Sequence, residues 1–186
     1  MTRAGLIMLP VLATPAARNM MEGDMALHML LQFPLILLAG WLLALGLPAQ
    51  AKAELQKWNH AGIAGLLLAA MVLMFWMIPR ALDMALSDGM MEFWKFLTLA
   101  LTGAALQLSW QAAGLIVRGF FLGNILPMMM VVGWLYIEVP VRICNAYLVD
   151  DQSRTGSGLL ALSIAGSLVW LVAFFMSNNK VVNGDL

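Results

Sequence analysis

Apolar residues run along this chain in long blocks separated by short polar stretches, and block length decides the reading. A helix needs roughly 20 predominantly apolar residues to cross the hydrocarbon core of a bilayer. Residues 25–47 meet that requirement and are stopped by Pro48; residues 49–59 are polar and hold Lys52, Glu54 and Lys57. A second predicted span covers 60–79, and the connection 80–92 carries Asp83, Asp88 and Gly89. A third covers 93–117, Arg118–Gly119 reads as a tight turn, a fourth covers 120–137, and a fifth covers 158–176 before a polar tail. The predicted fold is all-α: a polytopic transmembrane helical bundle of about five spans, with residues 1–186 as a single integral membrane domain.

Two segments fit this pattern less directly. Residues 4–17 are apolar but short and hold Pro10 and Pro15; a signal-like core after Arg3 and a re-entrant or interfacial stretch both remain open. Residues 138–148 read as span four continuing outward past Pro140, kinked where the proline removes a backbone bond. On that reading Arg142 and Cys144 move toward water. Arg142 then pairs with Glu138, four residues away on one helix face, or with an acidic residue of 80–92. Gly156 and Gly158 mark residues 150–157 as a loop.

Composition agrees with a lipid environment. Hydrophobic residues make up 62% of 186 positions and charged ones 11%, with a mean hydropathy of +0.88; a soluble domain carries about a quarter charged residues. The zero formal net charge supplies no basic surface for nucleic acid. The single cysteine, Cys144, excludes an internal disulfide and a Cys-rich metal site. Five spans put Arg3, Arg18, Arg80, Lys95, Arg142 and Arg154 on one face, with Lys52, Lys57, Arg118 and Lys180 opposite. Lys and Arg alone would place the first face in the cytoplasm, but it also holds eight of the ten acidic residues. The charge bias leaves orientation undecided; a bacterial inner (cytoplasmic) membrane is the default location.

Methionine is the unusual residue, with 16 copies. Met21, Met25, His28 and Gln32 recur at spacings of four, three and four, so a helix carries them on one stripe. Met29 adjoins them, and Met90 and Met91 come to the same face from the second connection. Thioethers are soft ligands and imidazole a borderline one, a set suited to copper(I), with Glu22 and Asp24 nearby to attract a cation. Methionine is equally a flexible packing residue, and both readings stand. His60, at the opposite face, is an interfacial residue about a bilayer thickness from His28, which disfavours a bis-histidine haem. Gln107, Ser109, Gln111 and Asn124 fall inside spans, where interhelical hydrogen bonds are their ordinary use. No acidic or basic residue is expected in mid-span. The small residues of 61–65 and 103–105 let helices approach closely.

The stretch Ala26-Leu27-His28-Met29-Leu30-Leu31-Gln32-Phe33-Pro34, continuing through Leu35 to Gly40, resembles the His-Met-Leu-Gln-His segment and following Pro-Leu run of CtaG-type membrane proteins. His28, Met29 and Gln32 are the matching positions; Phe33 stands where that family has a second histidine. The resemblance implies a non-enzymatic helper in cytochrome c oxidase assembly or copper handling, with oxidase or other respiratory subunits as partners. The alternative is a non-catalytic accessory subunit of a multi-subunit respiratory complex. A lipid- or quinone-modifying enzyme would have to draw on Glu138, Arg142, Asp150, Asp151 and Arg154, which show no catalytic spacing.

Overall fold

A computed structural model describes the backbone of residues 2–182 and the side chains of residues 3–176. Among the described residues the fold is helical, without strands. The α-helices are α1 (Thr2–Leu12), α2 (Pro15–Glu22), α3 (Phe33–Leu45), α4 (Ala49–Trp58), α5 (Ile63–Trp76), α6 (Pro79–Ser87), α7 (Gly89–Trp110), α8 (Leu115–Glu138) and α9 (Val149–Val182). α7 packs against α3, α5 and α6, α1 lies on α3, and α8 and α9 form an antiparallel pair reaching the rest through α5 and the turn before α3.

That turn, Leu27–Gln32, is a π-helix leading without a break into α3. Pro34 supplies a physical reason. It has no N–H for the Leu30 carbonyl, and its ring crowds that oxygen; the preceding turn widens, with the Phe33 amide bonding the His28 carbonyl five residues back. A second irregularity joins α4 to α5, which meet at 65°. Ala61 (φ 55°) and Gly62 (φ 72°) are both left-handed, a conformation a non-glycine residue adopts at a cost of about 1 kcal/mol or more. Asn59 holds the corner: its Oδ1 accepts from the Gly65 amide at 2.9 Å and its Nδ2 donates to Ser109 Oγ at 2.8 Å.

Close helix crossings occur where side chains are absent. A Cβ on Gly40 would collide with the Ala100 carbonyl, and one on Gly103 with the Leu37 carbonyl, so α3 and α7 meet backbone to backbone. Gly133 and Gly156 play the same part between α8 and α9.

By length and composition, Leu27–Leu45, Leu115–Glu138 and Val149–Met176 can each cross a membrane, and the bent pair Ala49–Trp58 with His60–Trp76 makes a fourth candidate if it acts as one span. The expected count of five is not reached on this measure. α7 carries Glu92, Lys95 and Gln107, and its polar groups lower its hydropathy even though Lys95, Thr102, Gln107 and Ser109 are turned into the bundle.

Several expected boundaries move. α8 stops at Glu138, and Val139 is extended (ψ 115°), as a residue before proline prefers; Pro140 ends the helix instead of kinking it. Arg142 forms no ion pair with Glu138 or with residues 80–92 among the described residues. Residues 150–157 are not a loop: they form the first turns of α9, and Gly156 serves the crossing with Gly133. The turn expected at Arg118–Gly119 falls at residues 111–114, before α8, and Arg118 sits over the Trp110 ring at 5.4 Å. The connection 80–92 contains α6, started by Pro79 in its first turn, where a missing N–H costs nothing. Residues 4–17 hold most of α1 and the start of α2.

Candidate functional site

One end of the bundle encloses a polar cluster assembled from four separate parts of the chain. Lys95 stands in the second turn of α7 and is fully buried, as are His28 and Gln32 of the π-helical turn. Glu22 closes α2 and Tyr147 comes from the loop between α8 and α9. Lys95 Nζ reaches Glu22 Oε1 at 2.7 Å, His28 Nε2 at 3.1 Å and Gln32 Oε1 at 3.3 Å. An ammonium group has three hydrogens and accepts none, so these three acceptors use it completely.

The rest follows from that assignment. His28 Nε2 accepts, so Nδ1 carries the hydrogen and donates to the Tyr147 hydroxyl at 2.7 Å. Tyr147 in turn donates to the Glu22 carbonyl oxygen at 3.1 Å, and Gln32 Nε2 donates to Glu22 Oε1 at 3.0 Å. Arg18 lies 3.5 Å from the other Glu22 oxygen and contacts Glu92. Two cations and two carboxylates therefore balance, the condition under which charge is tolerated away from water. Burial, with the Glu22 carboxylate next, raises the Tyr147 hydroxyl well above its ordinary value, so this hydroxyl stays a donor.

A surrounding set of bonds fixes the loop that delivers Tyr147. Asp83 of α6 accepts from the Asn145 amide at 2.8 Å, from Asn145 Nδ2 at 3.3 Å and from the Ala146 amide at 3.1 Å. Gln152 of α9 accepts from the Ile143 amide at 2.9 Å and donates to the Tyr136 carbonyl at 3.1 Å. Cys144, expected near water, is consequently buried against the Pro79 carbonyl, and burial together with Asp83 pushes its thiol up to about 12. Asp24, read from sequence as a cation attractor, caps the helix below: its carboxylate accepts from the Ala26 and Leu27 amides at 2.7 and 3.3 Å and pairs with Arg154 at 3.2 Å.

Of the residues proposed as soft ligands, Met25 and Met29 are buried in one apolar cluster, and Met21 and Met91 pack partly buried against it. Met90 is turned outward, 63% exposed. Both His28 ring nitrogens are engaged by Tyr147 and Lys95. Among the described residues no three His, Cys, Asp or Glu side chains converge as a metal site; thioethers lie outside that count. His60 is placed at the other end: its neighbour Asn59 bonds Ser109 near the end of α7, whereas His28 bonds Lys95 near its start.

Sequence reasoning assigned Lys95 to a membrane face and missed it as the centre of the cluster. The signal was present, since Lys95 falls inside the predicted third span, and an ionisable residue there needs a partner. Lys95 lies at the start of that span, so the expectation of no charge in mid-span is untouched; what the structure adds is that its side chain is buried in the bundle. Tyr147 and Gln152 carried no comparable signal. Comparison with family models, curated protein sequences and solved structures finds no match to this chain.

Proposed function

We propose that this chain is a non-catalytic accessory subunit of a multi-subunit membrane complex, crossing the bilayer about five times. The observation that carries this reading is the closure of its polar cluster. Lys95, His28, Gln32 and Tyr147 spend their hydrogen bonds on one another and on Glu22, and none of them lines the surface grooves along α5, α7 and α8. Those grooves are apolar, and α8 and α9 keep Val131, Trp134, Leu168, Val169 and Val172 exposed. A molecule whose polar groups are turned inward and whose outer helices are bare works through what those helices touch. The CtaG-like stretch around His28 favours a respiratory partner in a bacterial inner membrane. A photo-crosslinking residue at Leu168 or Val131 tests this in native membranes. One discrete protein adduct at either position is expected; lipid adducts alone at both positions exclude the subunit reading.

Met21, Met25, Met29 and Met91 belong to or pack against one apolar cluster in a chain whose His28 is also buried, which favours a second reading, copper(I) handling for oxidase assembly. Copper would take a His28 nitrogen now held by Lys95 or Tyr147. Copper(I) stoichiometry of the purified protein should then fall sharply in a Met25→Leu/His28→Ala variant, and equal stoichiometry in both proteins ends that reading.

A further inference from the structure

We propose that α2 is a hinged lid, latched by charge over the buried cluster of His28, Gln32, Lys95 and Met25. The proposal depends on neither functional reading. Its basis is a mismatch between what α2 covers and how α2 is held. Glu22 at the end of α2 touches Lys95 and Gln32 directly, and all four side chains are fully buried. α2 itself buries none of its eight residues, and Met20 points away from the bundle, 70% exposed. Met21 is its one large apolar side chain packed against the core. A helix with so little apolar burial gains little from the hydrophobic effect, which scales with the area removed from water.

Polar contacts hold it instead, and they gather at one end. Glu22 meets Lys95 and Gln32 through its carboxylate and Tyr147 through its carbonyl, and Arg18, one turn earlier, meets Glu92. The opposite end is a tight corner: the Thr14 hydroxyl donates to the Val11 carbonyl at 2.7 Å and accepts from the Ala17 amide. Gly23 follows Glu22, and Asp24 beyond it belongs to the cap of the next helix. Rotation about residues 13–14 and 23 would lift α2 as a unit and leave α1 and α3 in place. The latch is thus separable from the fold: removing the Glu22 charge weakens the bonds on α2 but none of the contacts between α3, α5 and α7.

The test reads local opening in the full chain in lipid nanodiscs. In a Cys144→Ser background, Met25→Cys is treated with a membrane-impermeant maleimide, and the adduct at residue 25 is followed by peptide mass spectrometry. Adding Glu22→Gln is expected to raise the labelling rate at least about tenfold, because the buried ion pair that holds the lid is broken. Two further measurements guard against general loosening. In Glu22→Gln protein that keeps its native Met25 and Cys144, labelling of Cys144 should stay as slow as in the parent, since Asp83 and α6 hold it, not α2. In the same protein, amide hydrogen exchange over residues 15–22 should speed up at least about tenfold while that of residues 33–45 is unchanged. Equal residue-25 labelling with and without Glu22→Gln overturns the lid, as does unchanged exchange over 15–22. Faster labelling at Cys144, or faster exchange across α3, overturns it too, because the whole end would then be coming apart.

Discussion

The side chain of Lys95 is fully buried, and its replacement has a calculable consequence. With Met at position 95, Glu22 and its neighbours lose their buried cation, and His28 Nε2 loses its donor. Breaking a buried pair by removing one member costs about 3–5 kcal/mol, much of it from the stranded partner. Thermal unfolding in mild detergent should therefore show a large fall for Lys95→Met. The double variant Lys95→Met/Glu22→Gln should recover a good part of that loss, because no unpaired carboxylate is left. A double variant no better than the single one would show that Glu22 is not the group Lys95 neutralises.

Cys144 makes a prediction of opposite chemical character. Its thiol, held up at about 12 by burial and by Asp83, keeps its proton in the folded chain where an ordinary thiol, near 9.0, has lost it. A proton held more tightly by the folded state stabilises it below the ordinary value, and that contribution is lost as pH rises from about 9 toward 12. Folding stability should fall across that window, and less steeply in Cys144→Ala. Native Cys144 should also resist alkylation at neutral pH, since the thiolate is the nucleophile. Asp83→Asn should speed its labelling by freeing Asn145 and Ala146. The sequence alone pointed Cys144 toward water because it registers a proline and an arginine. It does not register that the distant Asp83 carboxylate bonds the Asn145 and Ala146 amides just beyond Cys144.

At the scale of elements, glycine position decides how closely helices meet. Valine at Gly103 would drive its side chain into the Leu37 carbonyl, and valine at Gly156 into Gly133. Overpacking of this kind costs typically about 1–3 kcal/mol, and backbone obstacles yield less than side chains do. Each variant should lower the unfolding temperature clearly, whereas Gly89→Ala, with open space around it, should leave it within error. A Gly103→Val protein as stable as the parent would contradict the α3–α7 crossing. Helical blocks were legible in the sequence because apolar length is a local property. Their ends were less so: Gly156 read as loop punctuation and is a packing contact, and Pro140 read as a kink and is a stop. Both residues have two uses, and only the neighbouring element decides between them.

For the molecule as a whole, the open question is the path of α7 through the membrane. It has 22 residues, roughly 33 Å at 1.5 Å per residue, enough for a hydrocarbon core of about 30 Å. Hydropathy under-reads it because Lys95, Thr102, Gln107 and Ser109 are buried in the bundle, where lipid does not meet them. The start of α7 bonds Glu22 and His28 and its end bonds Asn59, so a crossing α7 would carry these two sites to opposite faces. The α2 end and the α4–α5 corner should then lie on opposite sides of the bilayer. Four single cysteines in a Cys144→Ser background test this in sealed vesicles of uniform orientation: Met20→Cys and Met90→Cys at one end, Trp58→Cys and Ala112→Cys at the other, all at exposed positions. An impermeant maleimide added outside should label one pair and spare the other until the vesicles are opened. Labelling of Met90→Cys and Ala112→Cys from the same side would mean that α7 does not cross. The five-span path would fall with it, and Lys95 would sit beside the membrane surface instead of within the bundle that spans it.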